Sequence, residues 1–260
     1  LHLSIRRQRQ MCIRDSYKAL VINVTATWCH YCGTSGVQAF DKVFTDYPYQ
    51  VVGIGVHSAD DISVSSSTTA VNKFKSSFGI SGIPAFVVNS TKSQYAYSTV
   101  NADLNAALLA TTTAKAGIGL AKVVSGSVIT VKYKVKAFSD YADGMKLAIY
   151  ALKHDIVNDQ TYDKPSGGQD QRAWTHNYVF MGTPDGDFSD IWGTTLSAST
   201  IAKNTEFEGE ARFTVPEGVD AESLTFAGVL WSSKTKGTAP TIAPNEMINS
   251  NIIERPSSEQ

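Results

Sequence analysis

The sequence predicts an α/β unit of order βαβαββα followed by an all-β, sandwich-like half. Three observations carry this. Up to about residue 113, short and nearly continuous apolar runs alternate with helix-period segments, the pattern of a covered, largely parallel sheet. From about Lys115 the helix signals fade and strict apolar/polar alternation takes over, as in half-buried antiparallel strands. The length of 260 residues suits about two domains at roughly 150 residues each.

Residues 19–24 (ALVINV) read as a strand covered on both faces. Val37, Phe40 and Phe44 then recur at helical spacing, placing an apolar stripe on a helix over about 34–47. Residues 51–56 form a second buried strand. The Ser/Thr tract 63–69 is a surface loop or the start of a helix continuing through Val71, Phe74 and Phe78. Gly82-Ile83-Pro84 leads into a strand over 85–88, with a hairpin near 90–93 and another strand over 95–100. Asn101 is the expected N-cap of a helix carrying Leu104, Leu108 and Leu109. The boundary is expected at Ala116-Gly117-Ile118-Gly119, dividing an α/β domain (17–114) from a β domain (120–252) with a tail over 253–260. In the β half, Ile129, Val131, Tyr133, Val135 and Ala137 alternate with Thr130 and three lysines. Asp143-Gly144 is a hairpin turn signal before Leu147, Ile149 and Ala151. Phe207, Ala211, Phe213 and Val215 alternate again before a Pro216-Glu217-Gly218 turn, and residues 224–231 give a further strand.

Composition removes several classes of function. An apolar fraction of 42% allows a buried core. A net charge of -1 argues against a nucleic-acid binder with a general positive field, and no run of 18 apolar residues is present. Three cysteines cannot staple a disulfide scaffold. Residues 1–16 are basic and lack an apolar stretch, unlike the rest of the chain. They read as a non-native, adapter-derived segment, so Cys12 is expected to be non-native and any export signal or lipid-anchor cysteine to have preceded it.

The chemistry lies in Trp28-Cys29-His30-Tyr31-Cys32, directly after the first strand and before a helix. A Cys-x-x-Cys at that junction sets its first sulfur at a helix N-terminus, where free N–H groups and the helix dipole stabilise a thiolate. Such surroundings bring a thiol pKa from about 8.5 to roughly 3.5–7.5. Cys29 is the expected attacking thiolate. Cys32, one turn into the helix, is the expected resolving thiol. A zinc site needs four ligands, but no second cysteine pair exists and His57, His154 and His176 are scattered, so neither a metal nor another cofactor is expected. His30 either stabilises the thiolate when protonated or simply faces solvent or substrate, with Tyr31. Pro84, by itself, reads equally as a strand-start proline or as a cis-proline.

These residues resemble the thioredoxin superfamily: Trp28 to Cys32 match its redox motif and Ile83-Pro84 its cis-proline position. The resemblance implies a thioredoxin-like fold for the first half. It also implies a substrate-binding surface of Trp28, His30, Tyr31, Ile83 and Pro84, on which an incoming chain lies extended. Two positions depart from the family. Asn23 stands where a buried acid is frequent, so a proton relay must use water or another group. Gly33 stands where a proline is common. The layout also resembles the outer-membrane-protein-28-related family of Gram-negative envelope proteins, through residues 133–152 and the segment from Trp174 to Gly182, where Tyr178 and Met181 replace an expected histidine and arginine. That resemblance implies an exported protein of the periplasm or outer membrane and allows attachment through an N-terminal lipid anchor; the exchange chemistry of the cysteine pair makes envelope protein thiols and disulfides the expected partners. The β half would serve docking or partner selection. The alternative is a non-catalytic surface-binding lipoprotein with a structural disulfide.

Other constellations read as structure. Asp185, Asp187 and Asp190 lack the spacing of a calcium loop and suit a solvated turn. His176 and Asn177 suit hydrogen-bonded structural roles. Trp174, Trp192 and Trp231 read as buried anchors rather than a carbohydrate-stacking surface, and Lys132, Lys134 and Lys136 as the wet face of a strand.

Overall fold

Residues 19–24, apolar except for Asn23, have no face to spare for solvent, and they lie mid-sheet. In the computed structural model, which describes residue 13, residues 15–235 and residues 245–253, β1 (Ala19–Thr25) runs parallel to β2 (Val51–His57) and antiparallel to β3 (Ala85–Val88). The expected non-native Cys12 and the tail from residue 254 onward lie outside the described residues. A π-helical turn (Cys32–Gly36) runs into α1 (Val37–Asp46), α2 (Ser65–Ser77) follows β2, and β4 (Thr91–Ser93) pairs with β3 before α3 (Tyr97–Ala110). The first half therefore has the expected order βαβαββα. The chain as a whole is mostly β, with few helices and a mixed sheet.

Two local expectations fail here. Residues 95–100, expected as strand, are not one: residues 97–100 open α3, the fourth strand lies at the expected hairpin instead (Thr91–Ser93), and Asn101 is inside α3 rather than capping it. Its side chain accepts from Tyr47, tying α3 to the end of α1; an aromatic and β-branched stretch this short does not distinguish strand from buried helix face.

The second half contributes β5 (Ala116–Ser125), β6 (Val128–Ala137), β7 (Met145–Lys153), β8 (Ile156–Asp163), β9 (Gln169–His176), β10 (Val179–Gly182), β11 (Thr194–Ser197), β12 (Glu206–Thr214), β13 (Leu224–Thr235) and β14 (Asn245–Ile252). The expected division near Ala116 is not a linker. Ala116 to Gly119 open β5 as a buried strand, and the main sheet runs through both halves in the order β14-β13-β7-β10-β2-β1-β3-β4, with β11 on β7. The join is β10, whose Val179 pairs with Gly55 of β2 while Tyr178 accepts from the Gly55 N–H at 2.8 Å. Tyr178 itself stacks on Phe44, with ring centres 4.1 Å apart, and Met181 is buried. The segment from Trp174 to Gly182 thus stitches the halves together.

β7 explains why one core serves both. Ala148, Tyr150 and Leu152 face the cluster of β1, β2 and α2 that holds Phe74 and Phe78, and Trp192 and Trp231 meet edge to face there at 4.9 Å. Leu147, Ile149 and Ala151 face β5, β6 and β12, a second sheet carrying Ile118, Val131 and Phe213. The Asp143-Gly144 turn forms, with Gly144 at φ +66°, but it sends the chain from one sheet to the other rather than closing a hairpin between β6 and β7. The three lysines of β6 face Glu206 and Glu210 of β12 at 2.8–3.2 Å. Asp190 pairs with Lys73 and accepts from the Trp192 N–H, and Asp185 accepts from Thr214.

Candidate functional site

β1 ends at Thr25, and the chain turns through Ala26 to Trp28 before the helical turns begin, so Cys29 caps a helix N-terminus. Cys29 and Cys32 form a disulfide with Cα atoms 5.2 Å apart. The Cys32 N–H points at the Cys29 sulfur at 3.2 Å, and the Gly33 N–H donates to the Cys29 carbonyl at 3.1 Å. The helix opens as a π-turn closed by the Val37 N–H on the Cys32 carbonyl; such one-turn insertions are rare and concentrate at functional sites.

The Ile83–Pro84 peptide is cis. The Ile83 carbonyl oxygen lies 3.8 Å from the Cys29 sulfur, and the Ile83 side chain packs on Ala26, Cys29 and Cys32. A Cβ on Gly36 would come within 2.8 Å of the Pro84 ring, so only glycine lets helix and proline loop approach this closely. Beside them runs an open groove of about 420 Å³ lined by Tyr31, Gly82, Ile83, Pro84 and Tyr95, among others. Tyr31 and Tyr95 are more than half exposed. Trp28 does not line this groove; its indole N–H donates to the Ser58 carbonyl at 3.1 Å. His30 turns the other way, its Nδ1 at 2.8 and 2.9 Å from the two carboxylate oxygens of Asp163. Cys29, Cys32, Tyr31, Ile83 and Pro84 thus come together, while Trp28 and His30 flank them.

Asp163 belongs to the part of the site that sequence reasoning missed. β8 and β9 pair only with each other, and this hairpin lies along the redox loop. The Thr161 N–H donates to the Thr27 carbonyl at 2.8 Å, the Asp163 N–H to Thr34 Oγ1 at 2.8 Å, and Arg172 Nη2 to the Gly33 carbonyl at 2.9 Å. The Arg172 guanidinium lies over the rings of Tyr162 and Trp174, 4.7 and 4.8 Å from their centres. Gln160, wholly buried, reaches under the loop. Gly33, where the resemblance expects proline, has its ideal Cβ position only 2.0 Å from the Thr161 carbonyl oxygen. The glycine is required by the hairpin.

Behind the helix, Asn23, Thr25, Asp41, His57, Trp174 and His176 help line a small cavity of about 10 Å³, about the size of one water probe. Asn23 Oδ1, Thr25 Oγ1 and His176 Nε2 are buried with no partner among the described residues. Burial pushes the Asp41 carboxyl up to about 6, against a hydrogen bond from Trp174. Burial brings His176 down to about 4, with the neighbouring His57 lowering it further and Asp60 opposing. These act oppositely on stability. A raised Asp41 makes the folded state bind more protons than the unfolded chain, so its contribution is present below the ordinary carboxyl range and lost as pH rises through about 6. A lowered His176 leaves the unfolded chain binding more protons, so its contribution is present above about 6.5 and lost as pH falls towards about 4. Asp41→Asn is therefore expected to make stability climb more steeply with pH between about 4 and 6.5, and His176→Phe to make it climb less steeply there. Urea midpoints across that range check this; curves parallel to the wild-type curve count against it.

Among the described residues no group of three or more His, Cys, Asp or Glu side chains is placed to hold a metal, and no helix is long and apolar enough to cross a membrane.

No family model matches the chain, and no curated protein matches it. Solved structures do. HBP35 of Porphyromonas gingivalis is similar over 95% of this chain and 79% of its own, at 20% identity and a TM-score of 0.65. A structural-genomics protein of Agrobacterium tumefaciens is similar over 95% of this chain and 98% of its own, at 12% identity and a TM-score of 0.53. A domain of the outer membrane lipoprotein Omp28 from Porphyromonas gingivalis covers 54% of this chain and 88% of its own at 15% identity, with a TM-score of 0.33, too low to bear on the fold. At such identities the first two likenesses establish a shared fold that takes in both halves of the chain, and nothing about activity.

Proposed function

We propose that this chain is a thiol–disulfide exchange protein of thioredoxin type, exported to the envelope of a Gram-negative cell. The observation that carries the reading is the Cys29–Cys32 disulfide at a helix N-terminus, with the Cys29 sulfur 3.8 Å from the carbonyl preceding Pro84 and a groove opening beside it. In the reduced protein the Cys29 thiolate attacks a partner disulfide, forming one S–S bond and expelling one partner thiolate. Cys32, deprotonated, then attacks Cys29, releasing the second partner thiolate and leaving Cys29–Cys32 oxidised. Two electrons pass to the partner, whose thiolates take up the two protons lost by the cysteines; the reverse sequence oxidises a partner dithiol. Partner segments lie extended along Tyr31, Ile83 and Pro84, with Trp28 and His30 at the margins. The C-terminal half shapes access through its hairpin.

An oxidising compartment suits a lone cysteine pair held as a disulfide, and the sequence resemblance to outer-membrane-protein-28-related proteins supports the envelope and allows a lipid anchor. A second reading, an interaction module whose disulfide is structural, is favoured by burial: Cys29 is 5% exposed and Cys32 0%. One experiment separates them. Cys32→Ser keeps the attacker and removes the resolver, so exchange activity traps mixed disulfides with envelope proteins, whereas Cys29→Ser traps none. No trapped partner, together with a reduction potential below about -300 mV, establishes the structural reading instead.

A further inference from the structure

Gln160 is the only side chain of the hairpin whose carboxamide nitrogen reaches several carbonyls of the redox loop at once. It is 0% exposed on a strand whose other side chains are mostly polar and partly wet. Its Nε2 lies 3.2 Å from the Ala26 carbonyl oxygen, 3.0 Å from that of Thr27 and 3.2 Å from that of Cys29, and 3.1 Å from the carbonyl of Thr161. Four acceptors around one nitrogen settle the amide orientation, because the carboxamide oxygen has nothing to offer them. Two N–H bonds are shared among these carbonyls, so the loop is gathered onto a single buried donor.

We propose that Gln160 is a positioning residue for thiol exchange, holding the peptide planes of residues 26–29 so that their carbonyls point into the hairpin and the N–H groups of the first helical turn face the Cys29 sulfur. The role rests on the exchange reading, since attack by Cys29 is what is being positioned. The chemistry favours an amide here. A carboxylate would face four carbonyl oxygens, and an aliphatic side chain would leave buried carbonyls without a donor. An amide donates at every pH and brings no charge near a developing thiolate. With the Cys29 carbonyl held by Gln160 and by the Gly33 N–H, the Cys32 N–H is left aimed at sulfur. The hairpin thereby acts on the sulfur pair from more than 130 residues away in sequence.

The test uses Gln160→Met, which keeps length and removes the donor, and Arg172→Met, which removes a hairpin-to-helix hydrogen bond without touching residues 26–29. The readouts are the thiol titration of Cys29 by thiolate absorbance and the equilibrium of the Cys29–Cys32 pair with glutathione. Gln160→Met is expected to titrate at higher pH and to shift the equilibrium about tenfold towards the disulfide, about 30 mV more reducing, because the reduced form has lost thiolate stabilisation. Arg172→Met, which removes a positive charge beside the helix but no donor to residues 26–29, is expected to shift both readouts by much less. If Gln160→Met does not fold, Gln160→Glu serves, with the same shift once the glutamate ionises and a return towards wild type where it is protonated and donates again. Unchanged titration and equilibrium in a folded Gln160 variant, or an equal shift in Arg172→Met, overturns the proposal. Both readouts concern the chain's own cysteine pair, so failure to trap partners removes the exchange reading without deciding this result, and the reverse holds too.

Discussion

Gly33→Ala is expected to destabilise the protein by about 3 kcal/mol, although a glycine-to-alanine change in a helix ordinarily gains up to about 1 kcal/mol. Gly33 sits in the π-turn that opens the redox helix, and its backbone needs no left-handed conformation, so propensity alone favours alanine. The obstacle is the Thr161 carbonyl oxygen, 2.0 Å from the ideal Cβ position, with its carbon at 2.8 Å and Gln160 Cγ at 2.9 Å. Two of those three atoms are backbone and cannot rotate away. Either the strand shifts, straining the Gln160 and Thr161 hydrogen bonds to the loop, or the whole hairpin lifts and Asp163, Arg172 and Thr161 lose their partners on His30, Gly33 and Thr27. A two-stranded hairpin has little stability of its own, so lifting it exposes both. Chemical denaturation measures the loss, and amide exchange across β8 and β9 shows where it falls. A stability gain in Gly33→Ala sinks the docking account.

That glycine also shows where sequence reasoning reached and where it stopped. The strand, cysteine and helix order around Trp28 to Cys32 was legible because apolar periodicity and spacing are local signals. The proximity of Ile83-Pro84 follows from no local signal and is implied only by the resemblance to the thioredoxin superfamily. Gly33 departs from the proline of the resembling family, yet the cause of that departure lies about 130 residues away and leaves no mark on neighbouring positions. Gln160 was invisible for the same reason. Asn158, Asp159, Gln160 and Thr161 are all polar and lie outside the segments that apolar alternation marks as strands, and nothing local says that the one facing residue 29 is buried. β7 carries a stronger signal than its alternation alone. Residues 147–152 are continuously apolar, the mark of a strand covered on both faces, and that run announces a strand in the middle of the molecule rather than one face of an isolated sandwich. The glycines of residues 116–119 mark a boundary in the sequence, whereas β5 packs so closely on β13 that a Cβ at Gly228 would meet Leu120 and Ile118 at 3.1 and 3.3 Å.

Asp60→Ala is expected to cost about 3–5 kcal/mol and to loosen the approach to Cys29. The carboxylate is almost wholly buried, with Oδ2 at 2.7 Å from His57 Nδ1 and 2.9 Å from the Thr27 N–H. Burial alone pushes this carboxyl up, but hydrogen bonding to His57 and its charge, with backbone donors from Thr27 and Ile62, outweigh it and hold it below its ordinary value. A depressed carboxyl contributes stability that is present above the unfolded value and lost as pH falls through the folded one. Alanine removes that contribution and leaves two buried donors unmet, which is the costly half of breaking such a pair. The consequence reaches the site because Thr27 is two residues before Cys29 and its carbonyl is held by Gln160 and Thr161. Its N–H is held from one side of the site by Asp60, its carbonyl from the other by the hairpin. Releasing one end should raise amide exchange at residues 27–29 before any global unfolding, while Asp60→Asn, which keeps one acceptor oxygen, should recover most of the protection at neutral pH. Equal exchange in the alanine variant and the wild type, with stability unchanged, means that the loop is held by the hairpin alone and that the His57–Asp60 pair has no part in shaping it.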